Sequence, residues 1–344
     1  MAVLDAMLDW KEYTALSSHA KEELTREIGR ENGMEWKRMR SFSRWGQELE
    51  TAIYQADGAS FVFVPGKEVM LGWRGLPEGK DEEEKEFLDA LSEDVEEYWG
   101  GQFEPGEIIG LLTSPPRRVV IPPMLVEQTP RPFEDGQPVA LEDLELSDSW
   151  RQSVEQFRSD SRSRCLVLDT FQTGNPKLRL TKEKNGGILA EIIVPATVEN
   201  LQKRLESEGY SLPDGDMWEY LSGGENGALF AWGDRLPKRD ELGWRGKPNS
   251  FGIHIGYDSE GYHREIVKDC PWPFRGGDGG EIACYGPMQI LGEFVGSPHF
   301  VGWYGREWDE DAMEEIKMML GDGLNSTYDY YRRIRLLKQS EKSF

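Results

Sequence analysis

Between Leu212 and Gly305 the chain has almost no hydrophobic periodicity, yet it is dense in glycine, tryptophan and proline. An irregular stretch of that length inside a compact domain holds function or bound ions. The whole chain carries 38 Gly and 12 Trp, and the glycines cluster after Leu221. Glycine allows tight turns and close backbone approach, while large indoles fill the space that irregular backbone leaves. The feature points to a loop-rich domain. No internal repeat and no low-complexity linker interrupts it.

Composition narrows the class. A chain of 344 residues can bury a sizeable core as one large domain or two ordinary ones. Its 40 Lys+Arg against 63 Asp+Glu leave a net charge of −23, which repels nucleic-acid phosphate and anionic lipid. The basic aromatic patch Trp36 to Trp45 (WKRMRSFSRW) suits stacking and phosphate contact, but it is short. Neither nucleic acid nor membrane is therefore expected as a partner. A mean hydropathy of −0.62 leaves no room for a span of about 20 apolar residues. The opening MAVLDAMLDWKEY has acidic residues where a secretory leader needs a basic and then an apolar stretch. Three cysteines argue against a disulfide scaffold. The expectation is a soluble, cytoplasmic protein.

Local pattern places the elements. Trp10, Leu16, Ala20, Leu24 and Ile28 predict an amphipathic helix over 9–28. SFVFVPGKEVMLGW reads as two short strands about a Pro-Gly turn. Residues 81–98 predict a helix with Phe87, Leu88, Leu91, Val95 and Tyr98 on one face behind an acidic start. RRVVIPPMLVEQTP is a strand made an edge, or ended, by its double proline. Residues 134–150 carry little apolar pattern and are expected as an exposed loop. RCLVLDTF and GGILAEIIVPA are strands. Thr197 then caps a helix that stops at Gly209, and Pro213 opens another in its first turn. From Asp309 the spacing of Met313, Ile316, Met319, Leu320, Tyr328, Tyr331, Ile334 and Leu337 predicts a helical tail.

Taken in order, FVFVPGKEVMLGW, RRVVIPPMLVEQTP, LPDGDMWEYLSGGENGALFAWGDRLP, NSFGIHIGYDSEGYHREI and RGGDGGEIAC resemble the domain shared by formylglycine-generating enzymes and sulfatase-modifying factors. The third string is the best match. The resemblance covers roughly residues 58–306. It implies an α+β, C-type-lectin-like fold, here with a helical N-terminal extension over 1–57, the domain over 58–308, and a helical tail over 309–344.

What the resemblance implies chemically is only partly present. Members that oxidise a cysteine hold copper with two cysteines five apart after a Gly-Gly. Copper(I) favours such soft thiolates. Aligning Gly279-Gly280 with that pair puts Cys284 on the first cysteine and Gln289 on the second, and an amide cannot replace a thiolate. A second branch holds iron with three histidines. His19, His254, His263 and His299 offer no pair at helical spacing. Structural calcium is the remaining cofactor the resemblance implies, through Asn249, Asp258, Glu260 and Glu265, whose oxygens suit that ion.

The reading favours a binding or accessory protein that kept the fold and lost the copper chemistry. The alternative is an oxidoreductase acting on a thiol with dioxygen through Cys284. Phosphate loops, Cys-x-x-Cys, Gly-x-Ser-x-Gly and His-Glu-x-x-His are absent from the sequence. Tyr257, His263, Trp272, Arg275, Cys284, Gln289 and His299 combine rings, cations and a thiol among glycines. They are the expected lining for a peptide, a protein segment or a small polar ligand. Trp218, Trp232 and Asp234 are expected to hold the fold.

Overall fold

The computed structural model describes residues 8–76, 82–99, 104–133, 136–168, 177–183, 186–193, 197–234, 247–255, 263–268, 272–277, 297–301, 324 and 328–337. Among these the chain is a mixed α+β protein with seven α-helices and fifteen short strands. No helix among the described residues is long and apolar enough to cross a membrane.

The N-terminal stretch forms α1 (Trp10–Ala15), α2 (Ser18–Glu31), β1 (Glu35–Arg44) and β2 (Gln47–Ala56). The expected single helix is broken because Ser17 caps α2, its hydroxyl accepting from Ala20 N. β3 (Ala59–Val64) follows β2 through a two-residue turn. Both turns of this meander place a non-glycine and then a glycine at positive φ: Trp45 at 50° and Gly46 at 75°, Asp57 at 45° and Gly58 at 72°. These are the mirror-image turns that match strand twist. Phe61, Val62, Phe63 and Val64 are all fully buried, as expected for a strand covered on both faces.

This corrects two expectations. Residues 35–56 are strands, not part of a helical extension, and the 57/58 boundary falls inside the β2–β3 turn. The outer strand β1 buries only Phe42 fully, so its sequence carries little alternation to read.

The chain leaves the central sheet at Pro65-Gly66 and returns at Pro122-Pro123. Proline has no N–H to give a ladder, so β4 (Lys67–Leu71) and β5 (Arg117–Ile121) pair with each other alone. Between them lie α3 (Glu82–Trp99) and α4 (Pro105–Leu112). β6 (Met124–Glu127) re-enters beside β3 as an interior strand, one in from the edge. The excursion carries its own core of Trp73, Leu88, Leu91, Ile108, Ile109 and Leu112, closed by Leu229, Phe230 and Phe300.

β7 (Arg131–Pro132) precedes the stretch expected as a loop. That stretch holds the short strand β8 (Gly136–Val139) and the first residues of α5 (Asp148–Ser159), and it is exposed or half-buried over its described residues. β8 joins β9 (Cys165–Leu168), β10 (Lys177–Lys182) and β11 (Ile188–Ile193) in a second sheet of order β8-β11-β10-β9. That sheet packs Leu178, Leu180 and Ala190 with Val154 and Phe157 of α5. α6 (Val198–Ser207) begins at Thr197 and ends at Gly209, φ 79°. Tyr210 N donates to Leu205 O and Gly209 N to Glu206 O, a Schellman closure as expected of that glycine.

α7 (Gly215–Gly223) is capped by Asp214, whose side chain accepts from Met217 N, so Pro213 stands just outside it. β12 (Arg264–Ile266), β13 (Phe274–Arg275), β14 (Asp329–Tyr331) and β7 form a third sheet, in which β12 and β14 run parallel. β15 (Ile334–Leu336) completes the central sheet against β6. The tail around Tyr328 to Leu337 is therefore two strands, not a helix. Its three-residue spacing came from aromatic and β-branched residues that suit short strands equally well. The helix expected over Met313–Leu320 lies outside the described residues.

Candidate functional site

The string SGGENGALFAWGD turns a helix end into one wall of a cleft. α7 stops because Gly224 sits at φ 68°, and a Cβ there would collide with the Gln47 amide. Beyond it Asn226 ties its own loop. Its amide nitrogen donates to Phe230 O at 2.8 Å and Ala231 O at 2.9 Å, and its Oδ1 accepts from Ala228 N at 3.1 Å. Asp234 accepts from Leu229 N at 2.8 Å. These bonds hold Trp232 against Phe230, the rings parallel within 1° and 4.9 Å apart.

A buried polar network anchors that loop from beneath. Glu219 on α7 is buried, and four donors or potential donors meet its carboxylate. Oε1 lies 2.7 Å from Gly72 N and 2.7 Å from His299 Nδ1, while Oε2 lies 2.9 Å from Ser114 Oγ and 2.7 Å from Arg117 Nη2. His299 Nε2 donates to Asn226 O at 2.8 Å. A carbonyl can only accept, so that ring nitrogen carries a proton. Arg117 also pairs with Asp216. Burial pushes the Glu219 carboxyl upward, but hydrogen bonds and charge from His299 and Arg117 outweigh it and hold the group below the ordinary range.

The cleft above has a volume of about 490 Å³. Trp10 at the start of α1, Trp45 at the β1–β2 turn, Tyr220 on α7, Trp232, and Phe251 line it, together with Gln47, Glu48, Lys67, Glu225 and Asn226. The three tryptophans are half-buried. Trp45 and Trp232 meet with centroids 6.0 Å apart and planes at 56°. Lys67 is ion-paired with Glu225 and lies 5.1 Å from the Trp10 ring centroid. The arrangement offers several aromatic faces beside exposed carboxylates and an amide. That combination can hold a ligand with one apolar and one polar side.

The residues expected from the sequence lie elsewhere. Arg275 is buried, and its Nη1 donates to Trp272 O at 3.0 Å and Phe274 O at 2.8 Å. Trp272 is buried edge-on to Phe274, as a core plug would be. His263 packs against Tyr330, the ring centroids 4.5 Å apart and the planes tilted by 32°, and His299 belongs to the Glu219 network. None of these four is among the residues lining the cleft. Tyr257, Asp258, Glu260, Cys284 and Gln289 lie outside the described residues, as does Cys270. Cys165 is an exposed free thiol.

Two of the expected calcium ligands are described, and their oxygens are committed. Asn249 Oδ1 accepts from Phe251 N at 3.0 Å and Ile253 N at 3.2 Å. Both oxygens of Glu265 accept from Arg332, at 2.8 and 3.0 Å. Glu265 is the counter-ion of a buried guanidinium rather than a calcium ligand. Among the described residues no group of three or more His, Cys, Asp or Glu is placed to hold a metal.

Trp218 is buried as expected, and Asp234 has the expected turn role. Trp232 is different: it is half-buried at the cleft. Trp10, Trp45 and Gln47 escaped the sequence reading because they lie far up the chain from the irregular stretch. The one available signal was the dipeptide Trp45-Gly46, a turn pair with an indole where Asn or Asp is usual.

Comparison of the chain with known protein families finds no matching family, and comparison with curated proteins finds no match.

Proposed function

We propose that the protein is a binding or accessory protein whose ligand occupies the tryptophan-walled cleft. The observation that carries this reading is Trp45, a bulky residue at φ 50°. A side chain with a Cβ pays about 1–2 kcal/mol in that conformation, and glycine does not. Strain of this kind is stored where position matters. Here it presents an indole to Trp232 across the mouth of the cleft. The buried Glu219–His299 pair, bonded to the carbonyl of Asn226, makes the opposite wall rigid before any ligand arrives.

Descent from the formylglycine-generating type, with its C-type-lectin-like fold, is part of the same proposal. Its support is the order of the five strings and the roles their residues take. Asp214 caps α7, Trp218 fills the core, and Glu219 gathers four partners. Copper chemistry is not part of the proposal, because the sequence carries Gln289 where the resemblance implies a second thiolate. A screen of peptides and small polar compounds read by tryptophan fluorescence tests the reading. Ligands found with the wild type should lose about tenfold or more in affinity to Trp232→Ala, whose circular dichroism should stay unchanged. Hits that bind that variant undiminished would place the site elsewhere.

A further inference from the structure

We propose that the ligand is a neutral saccharide, with a sugar ring laid on the faces of Trp45 and Trp232. This rests on the cleft reading above and names its ligand class.

Charge makes the first selection. Lys67 is the single cation among the described lining residues, and its ammonium is shared between the Glu225 carboxylate and the Trp10 ring. An anionic ligand would have to break that pair and approach a chain of net charge −23. A cationic ligand would find Glu225, one of the two carboxylates among the described lining residues, already held by that ammonium, with Glu48 alone left to pair it. The charges on the wall are best left as they are by a neutral ligand.

Ring geometry makes the second selection. A flat heteroaromatic ligand is best clasped between parallel rings. Trp45 and Trp232 instead form a bent platform at 56°, too close together for a ring to slip between them. A puckered ring fits such a platform with its C–H bonds, polarised by the hydroxyls they flank, directed at the electron-rich indole faces. Each indole is braced on another group. Phe230 lies parallel to Trp232, and the Arg44 guanidinium lies 4.4 Å from the Trp45 ring centroid. The platform is thus formed in advance, which lowers the ordering cost of binding.

Polar groups make the third. Glu48 and Glu225 are exposed on the cleft wall, and the Gln47 amide is held by its bond to Gly223 O at 3.2 Å. Planar carboxylate and amide groups accept from and donate to hydroxyls of a ring whose apolar face is already engaged. The volume of about 490 Å³ falls within the range of small-ligand sites, ~300–1,000 Å³.

The test uses the full chain with glucose, galactose, N-acetylglucosamine, maltose and cellobiose as probes. A proline-rich peptide serves as the rival neutral ligand. Binding is read by saturation-transfer NMR and by tryptophan fluorescence. At least one saccharide should bind, and its affinity should fall about tenfold in Trp232→Ala and in Trp45→Gly, the loss of one aromatic platform. Trp45→Gly lies at a turn where glycine fits the backbone, so it remains informative if Trp232→Ala unfolds. Peptide binding that needs Trp232, without saccharide binding, overturns the saccharide and keeps the cleft. Saccharide binding that survives both substitutions overturns the platform and the cleft reading together. Failure of every probe saccharide to bind also overturns the inference.

Discussion

Replacing Glu219 by Gln changes one oxygen to an NH2 group and leaves the shape intact, so it isolates charge and hydrogen-bond polarity. Gly72 N, Ser114 Oγ and Arg117 Nη2 donate to the carboxylate, and His299 Nδ1 lies against it at 2.7 Å. Whichever way the amide turns, its NH2 faces a backbone N–H or a guanidinium. Removing one partner of a buried pair costs about 3–5 kcal/mol. Arg117 is 29% exposed at its side chain and can lean on Asp216, so the low end, about 3 kcal/mol, applies here. At roughly 2 °C per kcal/mol for a long chain, the thermal midpoint should fall by about 6 °C at pH 7.

The pH dependence has a definite sign. The Glu219 carboxyl is held below its ordinary range in the folded protein. Its stabilisation is therefore complete above the unfolded value, about 4.3, and is lost as pH falls through the lower folded value. Denaturant midpoints of the two proteins should differ by a constant amount near neutrality and converge below about pH 4. A variant within about 1 kcal/mol of wild type at pH 7 would refute the reasoning. So would a gap that widens on acidification.

Two further substitutions test other parts of the structure. Trp45→Asn relieves the positive φ while keeping a turn residue, so the denaturation midpoint should hold or rise, by up to about 1 kcal/mol, while ligand binding weakens. A loss above 1 kcal/mol would show that the indole serves the fold. Arg332 is fully buried, and its guanidinium bonds Glu265 together with the carbonyls of Glu127, Gln128 and His254. Arg332→Met should cost about 3–5 kcal/mol, because it strands Glu265. Adding Glu265→Gln should recover part of that loss, and no recovery would show that the carbonyls rather than the ion pair dominate.

Much of the secondary structure could be read from neighbouring residues. The Thr197 cap, the Gly209 stop, the FVFV strand and the helix over 82–99 depend on contacts within a few positions, and such contacts are written locally. The tail YDYYRRIRLL was misread because its apolar residues satisfy a three-residue spacing as well as the facing requirement of two short strands. Only the open flanks of β12 and β6 choose between these. β1 was missed for a related reason, since an outer strand facing solvent on most of its length has no pattern to show.

The sequence by itself determined a mixed, loop-rich α+β chain of strongly negative charge, and it located the cap and the stop that bound α6. Tertiary structure alone decided the site. Glu219 and His299 are 80 residues apart, and Trp45 and Trp232 come together only when the first hairpin folds over the loop after α7. Their partnership arises because burying Glu219 requires donors and because Gln47 packs where Gly224 has no Cβ. Those conditions are met by surfaces, not by spacing, so no local pattern could reveal them.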